Sequence, residues 1–279
     1  MAAFSASDAA LEGFQVIRRH WRVIVGWAGF NLVAPVAAVA VIVITGVFYA
    51  ATAGGDASQF GAVVVGPLLS LATLAIQLVI GMALYRLMFQ PQERGWLYLR
   101  FGPDELRGIG VSLVLAAGVG ALALLAVGVA RAAPPVASGA VALGAIVVGF
   151  WLLMRLSFAA PICVAERRID FGRSWRLSRG HTWSLVGMTL LAGCLGLLMS
   201  VLVWGAFFLL TLSVVGFQEL GNLAGPEGFR DHPGLFLLQA IAPFLFGPFV
   251  IVVFCAPWAA AYQALTAPDE APEDAPDGG

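Results

Sequence analysis

The side chains best able to do chemistry in this chain are arginines, histidines and tryptophans that gather between apolar runs. The densest group is RLSRGHTWSLVG, residues 176 to 187, in which two arginines, a histidine and a tryptophan occupy eight positions. Guanidinium groups bind phosphate oxygens through several N–H donors, and tryptophan is enriched at the headgroup level of membranes. The pattern therefore predicts contacts with lipid headgroups or other anions, and the candidate residues are Arg155, Arg173, Arg176, Arg179, His181, Trp183, Arg18 and Arg86.

Other interpretations of these side chains lead away from a reactive site. The arginines alone suffice to fix the orientation of membrane helices and to bind bulk anionic lipid, and we favour that interpretation over a specific headgroup site. A metal site at His20, His181 and His232 is not expected, since no aspartate, glutamate or cysteine completes a ligand set. No ionisable residue occurs well inside the apolar runs, where transport or proton paths normally place them. We therefore expect no cofactor and no enzymatic activity.

The elements that must position these residues are membrane helices. Hydrophobic residues make up 60% of the 279 residues and charged residues only 11%, whereas a typical soluble domain has roughly a quarter charged residues and under half apolar ones. Each apolar run exceeds the ~18 residues that indicate a membrane span. The sequence therefore predicts an all-α polytopic membrane protein with six transmembrane helices, at about residues 23–50, 61–88, 104–130, 136–160, 183–216 and 235–264.

The interior of these runs predicts how the helices pack. The fifth run is too long for one simple span, and we expect a bend or a separate short helix beyond about Phe208. Three small residues four apart in this run, Ala192, Gly196 and Ser200, predict a close helix contact. Prolines are expected to kink several spans where neighbours re-satisfy the freed backbone groups. The amides within the runs, which we interpret as bridges between helices, are Asn31, Gln77 and Gln239.

The arginines are distributed unevenly between the two sides of the predicted membrane domain, residues 23–264. Thirteen flank one set of connections, whereas Arg131 and Arg230 flank the other set. The positive-inside rule then places both termini in the cytoplasm. The segment 265–279 has acids interleaved with proline, and we expect a disordered cytoplasmic tail there. High use of alanine, glycine and arginine favours a bacterial cytoplasmic (inner) membrane protein.

Residues 1–22 are expected to form an amphipathic helix at the cytoplasmic interface. Leu11, Phe14, Ile17 and Trp21 recur every three to four residues and give one apolar stripe with polar residues opposite. An interfacial helix needs this arrangement, because its apolar face dips into the lipid while its polar face stays in water.

The interfacial pattern recurs before three predicted hairpins. FQVIRRHWRVIVG, which begins at Phe14, matches WRLSRGHTWSLVG, which begins at Trp175, with an arginine, a histidine and a glycine at corresponding positions. A fainter copy includes Trp96, Arg100 and Gly108, and the second and fourth spans both end in Arg-Leu-x-Phe. We therefore predict three pseudo-repeated helical hairpins, each preceded by a short amphipathic interfacial segment.

One longer pattern lies between the fourth and fifth spans. Its features are an arginine at a helix end, a small residue before proline, Ala-Glu, and Ser-Trp with a basic residue before Gly-x-x-Trp. They are Arg155, Ala160-Pro161, Ala165-Glu166, Ser174-Trp175, Arg179-Gly180 and Trp183. This pattern resembles bacterial six-span membrane proteins, including the membrane domain fused to some glycerophosphoryl diester phosphodiesterases. The resemblance implies a fold rather than an activity, because hydrolysis in the fused enzymes belongs to a separate soluble barrel domain.

Two functions follow as hypotheses. The first is a non-enzymatic multi-pass protein that organises membrane lipids, in particular anionic headgroups, or other membrane proteins through its basic cytoplasmic face. The second is a transporter or flippase for a small amphipathic molecule or lipid, which would need a polar-lined cavity at membrane depth. Nucleic acid is not an expected partner for either.

Overall fold

The computed structural model describes residues 5–53, 66–92, 96–99, 102–132, 134–216 and 232–267. Within these ranges the chain is helical apart from short turns and bends, and it contains no strand. A 3-10 turn at Trp96–Tyr98 lies between the second and third helices. The helices are α1 Ala6–Ala53, α2 Gly66–Phe89, α3 Pro103–Ala132, α4 Pro135–Leu156, α5 Ala159–Glu166, α6 Phe171–Ser178, α7 Thr182–Val215 and α8 Pro233–Thr266.

Six segments of the described chain are long and apolar enough to cross a membrane. They correspond to α1, α2, α3, α4 together with α5, α7 and α8. The prediction of an all-α, multi-pass membrane protein with six transmembrane segments is therefore confirmed. The predicted acidic tail lies outside the described residues beyond residue 267.

The fourth predicted span is interrupted near its end. The helix stops at Leu156 rather than near residue 160, and the chain becomes helical again at Ala159. Proline at position 161 has no N–H to donate to the carbonyl four residues earlier, so the hydrogen-bond ladder of α4 cannot continue. Ser157 Oγ instead donates to the carbonyl of Met154 at 2.9 Å. The interruption gives the short, largely buried helix α5.

The fifth predicted span is one unbroken helix, and the expected bend beyond Phe208 is wrong. α7 continues to Val215 and is followed by Gly216 with φ +80°. Nothing in this run breaks a helix, since it contains no proline. The hydroxyl of Thr211 donates to the carbonyl of Phe207 at 2.9 Å, so this polar group is satisfied within the helix.

α1 joins the predicted interfacial segment to the first span. The helix is continuous except at His20, whose backbone angles (φ −123°, ψ 28°) are not helical and produce a kink. Leu11, Phe14 and Trp21 of the predicted apolar stripe are exposed, which leaves them free to face lipid. A different face of this segment, made of small residues, is buried.

That small-residue face of α1 packs directly on α8. Ala9, Ala10 and Val16 are buried there. Between them lies Gly13, where a Cβ atom would stand 2.8 Å from Cα of Val253. Only a residue without a side chain permits this distance between two helix backbones. Position 13 therefore sets how closely the first and last helices approach.

α8 is the central helix and packs against α1, α2 and α7. The buried clusters that it shares with these helices lie toward one end of the molecule, where α5, α6 and the start of α1 also pack. The predicted close contact in α7 is confirmed at its first two positions, since Ala192 is buried and a Cβ at Gly196 would stand 2.7 Å from the Phe254 ring. The main cluster members are Ile24, Trp27, Leu84, Leu87, Phe158, Leu185, Val252, Ala256 and Ala261.

One predicted amide bridge connects α1 to a kinked part of α8. Asn31 is fully buried, and its Nδ2 donates to the carbonyl of Phe244 at 2.8 Å. That carbonyl lies four residues before Pro248, whose missing N–H leaves it without its helical donor. Gly247 faces both Asn31 and Gln77, since a Cβ there would stand 3.1 Å from Asn31 Nδ2 and 3.6 Å from Gln77 Nε2. The amide thus re-satisfies a backbone group that a proline frees.

The hairpin of α3 and α4 lies at the periphery and leaves apolar grooves between its two helices. One cavity of about 240 Å³ lies near the end of the hairpin that carries Arg131. A larger cavity of about 270 Å³, which we call the α3–α4 groove, lies nearer to α6. The α3–α4 groove is lined by Val114, Leu115, Gly118, Val119, Leu152, Leu153, Leu156 and Phe171.

Candidate functional site

The candidate site is built on α5 and α6, two short helices that pack across one end of the bundle. Asp170 begins α6, and its Oδ1 accepts the backbone N–H of Arg173 at 2.8 Å, which satisfies one free donor at the helix start. On the face toward α4, Ser174 Oγ and Ser178 Oγ donate to the carbonyl of Arg155 at 3.0 and 3.4 Å. This carbonyl lies in the last turn of α4, where helical donors are missing.

Glu166, the last residue of α5, accepts hydrogen bonds from several side chains at this end of the bundle. Its Oε1 accepts from the hydroxyl of Tyr262 at 2.8 Å and pairs with Nε of Arg173 at 3.0 Å. Its Oε2 accepts from Nε of Arg168 at 2.8 Å. One carboxylate therefore connects α5 with α6 and with the end of α8. Because these bonds involve ionised groups, each is stronger than a neutral hydrogen bond.

Arg155 lies in an aromatic cluster. Its Cζ atom stands 5.5 Å from the centre of the Trp151 ring and 5.4 Å from that of Trp175. The two indoles meet edge to face, with ring centres 5.2 Å apart. Both contacts lie within the range of cation–π attraction. The guanidinium is thus held at the junction of α4 and α6.

Seven of the eight predicted anion-binding residues divide into three groups in the structure. Arg176, Arg179, His181 and Arg18 are exposed, and Trp183 is 87% exposed. Arg173 is engaged with Glu166 through its side chain and with Asp170 through its backbone N–H. Arg155 lies apart from both, between its two tryptophans. The eight candidates therefore do not converge on one ligand.

Arg86 lies away from the other candidates, between the end of α2 and the 3-10 turn. The side chain is 6% exposed, and its Nη1 donates to the carbonyl of Tyr98 at 3.4 Å. This contact fixes the turn between α2 and α3 against the end of α2. Arg86 therefore stabilises a turn in this structure and is not on the surface with the other arginines.

Glu166, Tyr262 and Trp151 were not among the anion-contact candidates predicted from the sequence, although Glu166 belongs to the longer pattern between the fourth and fifth spans. Trp151 had a usable signal, because it precedes Arg155 by four residues and so shares its helix face. The sequence signal for Glu166 was weaker: it is an acidic residue in a segment that contains many arginines. Tyr262 had no sequence signal, since only the packing of α8 brings it to this site.

The two segments that the sequence predicts to be interfacial, before the first and third hairpins, share a backbone feature. His20 has φ −123° and ψ 28°, and His181 has φ −110° and ψ 11°. Both lie in the sparsely populated bridge region of the backbone map. Each histidine thus marks the point where an amphipathic segment changes direction into a long apolar helix.

Within the described ranges, no group of three or more histidine, cysteine, aspartate or glutamate side chains is placed to hold a metal ion. No protein-family model, curated protein or solved structure matches the chain. Functional inference therefore depends on the geometry of the site itself.

Proposed function

We propose that this chain is a non-enzymatic multi-pass protein of the bacterial cytoplasmic membrane that organises lipids or partner proteins. The surface that would do so is its basic face, which we define as Arg18, Arg22, Arg176, Arg179 and His181 together with Trp21 and Trp183. All of these side chains are exposed, and they lie at the end of the molecule that contains α6 and the start of α1.

The observation that carries this proposal is that basic and indole side chains, neighbours in the sequence, are exposed at that end. Arg22 lies 5.5 Å from the Trp21 ring, and Trp183 follows Arg179 by four residues. Tryptophan prefers the headgroup level, and each arginine near an anionic membrane surface contributes about 1 kcal/mol. Arg168 and Arg173, in contrast, are already paired with Glu166.

The orientation belongs to the same proposal. The end of the molecule that carries the basic face holds eight of the nine exposed arginines in the described part of the chain, and the positive-inside rule assigns such an end to the cytoplasm. Both termini lie on that side in a protein with six spans. This is the arrangement in which the basic face meets the anionic inner leaflet.

A threefold repeat of hairpins is also part of the proposal. It is supported by the matching backbone of His20 and His181. It is further supported by the two Arg-Leu-x-Phe helix ends, whose phenylalanines both contact aromatic residues of α8. Phe89 lies 5.5 Å from Tyr262 and Phe158 lies 5.7 Å from Trp258, measured between ring centres. The likeness to the membrane domain of glycerophosphoryl diester phosphodiesterases stays a hypothesis of the same kind.

The test is lipid composition around the protein in native lipid discs. We expect Arg18, Arg176 and Arg179, changed together to glutamine, to lower the enrichment of anionic over zwitterionic lipid relative to the wild type. Arg173 is left unchanged because its loss would disturb the Glu166 network. Arg131→Gln is the matched control, since this exposed arginine lies at the end of α3, on the opposite side. Equal enrichment in wild type and triple variant would refute the proposal.

Transport of a small amphipathic molecule is the second candidate. It draws support from Pro243, Pro248 and Pro257 in α8, which offer points where a helix can bend. It also requires a polar-lined cavity at membrane depth. Both grooves of the α3–α4 hairpin are lined by apolar side chains, so lipid organisation has the stronger support.

A further inference from the structure

Arg155 has guanidinium donors that nothing in the described part of the chain accepts. Its Nε and Nη1 atoms are buried and lack a hydrogen-bond partner there. Neighbouring arginines differ, since Arg173 pairs with Glu166 and Arg107 donates to the carbonyl of Arg167 at 2.9 Å. Leaving charged donors unpaired is costly. The Arg155 side chain as a whole is only partly buried, so an acceptor from outside the chain can reach its exposed part.

The surroundings of Arg155 fit the depth of a lipid phosphate. Trp151 and Trp175, which flank the guanidinium, are of the residue type that is enriched at the membrane–water boundary. They also exclude water around the cation, which strengthens its attraction for an anion. The acceptor that suits a planar guanidinium is an oxyanion with two oxygens in reach, such as a phosphate.

An apolar groove begins beside this cation. Leu152 and Leu156 line the α3–α4 groove and are close neighbours of Arg155 on α4. On α6, Phe171 lines the same groove one turn before Trp175. Gly118 on α3 leaves open space there, since a Cβ atom at this position would meet nothing within 4 Å. The same two helices thus present a cation and, next to it, an apolar channel of about 270 Å³.

We propose that one glycerophospholipid binds at this place, with its phosphate accepting hydrogen bonds from Arg155 and one acyl chain in the α3–α4 groove. The inference rests on the proposed function and narrows it from bulk lipid at the basic face to a single bound molecule. A soluble phosphate ester shares the headgroup chemistry but has no chain for the groove.

The test is binding of phosphatidylglycerol to the purified full chain in detergent, with bound lipids counted by native mass spectrometry. Arg155→Gln removes the guanidinium, and Gly118→Leu fills the groove without touching the cation. Arg131→Gln is the matched control, because it removes an exposed arginine of the α3–α4 hairpin at the end far from Arg155. Inorganic phosphate at increasing concentration serves as competitor. Circular dichroism and size-exclusion chromatography confirm that each variant is folded.

We expect the wild type and Arg131→Gln to retain one phosphatidylglycerol, and we expect Arg155→Gln and Gly118→Leu each to weaken its binding about tenfold or more. Unchanged binding in Arg155→Gln would overturn the proposal and leave Arg155 as a cation held only by two indole rings. Displacement by inorganic phosphate together with unchanged binding in Gly118→Leu would overturn it in favour of a soluble ligand. If Arg155→Gln does not fold, Gly118→Leu decides alone.

The result of this binding experiment can be distinguished from the result of the lipid-enrichment test of the proposed function. Loss of the single lipid in Arg155→Gln, with anionic enrichment unaffected by the Arg18, Arg176 and Arg179 triple variant, would keep this site and refute the basic face. The reverse result would keep the basic face and refute the site.

Discussion

At the scale of single residues, the polar groups that matter most are those whose partners lie on other helices. Glu166 accepts from Arg168, Arg173 and Tyr262, and Asn31 donates to a carbonyl of α8. The sequence predicted that Asn31 would bridge helices, because an amide inside an apolar run needs a partner. It could not predict the role of Glu166, since that role depends on how α5, α6 and α8 meet.

We expect Glu166→Gln to lower the free energy of unfolding by about 1–2 kcal/mol, because two partly exposed arginines lose their ionised acceptor. The measurement is an SDS titration followed by far-UV circular dichroism. Tyr262→Phe is the control, and it should cost less because it removes one hydrogen bond and leaves both ion pairs intact. A Glu166→Gln curve that overlays the wild type would contradict the role assigned to this carboxylate.

We expect Asn31→Leu to destabilise the protein by about 1 kcal/mol, because the carbonyl of Phe244 then has no donor. In a Pro248→Ala background residue 248 regains its N–H for that carbonyl, so the same change should cost clearly less. A double-mutant cycle in SDS unfolding measures the difference as a coupling energy. A coupling energy of zero would mean that the amide does not compensate for the proline.

At the scale of elements, the long helices follow from composition, while the short ones depend on local breaks and tertiary contacts. The six spans were predicted because nothing but a bilayer accommodates apolar runs of this length. The division of the fourth run into α4 and α5 depends on Pro161 and on the site that α5 packs into. The fifth run proved to be one helix because it contains no proline that would interrupt the backbone hydrogen bonds.

Packing of α1 on α8 provides an element-scale prediction. We expect Gly13→Ala to destabilise the protein by about 1–3 kcal/mol, because the added methyl group meets the backbone of Val253 and forces the helices apart. Gly29→Ala on the same helix has open space and should be neutral or slightly stabilising. Thermal unfolding of both variants in detergent, compared side by side, measures the contrast. Equal effects at the two positions would rule out a close contact at Gly13.

At the scale of the whole molecule, burial and charge are concentrated at one end. The core clusters, the Glu166 network and the basic face all lie there, whereas the opposite halves of α3, α4 and α7 are mostly exposed. Counting arginines along the sequence predicted the location of the basic end. Nothing in the sequence predicted that the core would lie there as well, because the apolar runs extend along the whole length of the spans.

The orientation can be tested on the whole protein with reporter fusions. We expect a green fluorescent protein fused after residue 267 to fluoresce, because the positive-inside rule places that end in the cytoplasm. Alkaline phosphatase fused within the connection between α7 and α8 should be active, because that enzyme needs the periplasm to mature. The opposite pair of results would invert the proposed orientation and remove the basic face from the cytoplasm.

The length of α7 and α8 predicts which bilayer thickness stabilises the protein most. Each has 34 residues with no charged side chain, and at about 1.5 Å per residue each is about 51 Å long. Even a tilt of about 40°, the upper end for membrane helices, leaves a vertical extent of about 39 Å against a hydrocarbon thickness of about 30 Å. This hydrophobic mismatch predicts that thermal stability rises as the protein is moved from short-chain to long-chain phosphatidylcholine. It also predicts that, in a membrane of mixed thickness, the protein gathers in the thicker regions.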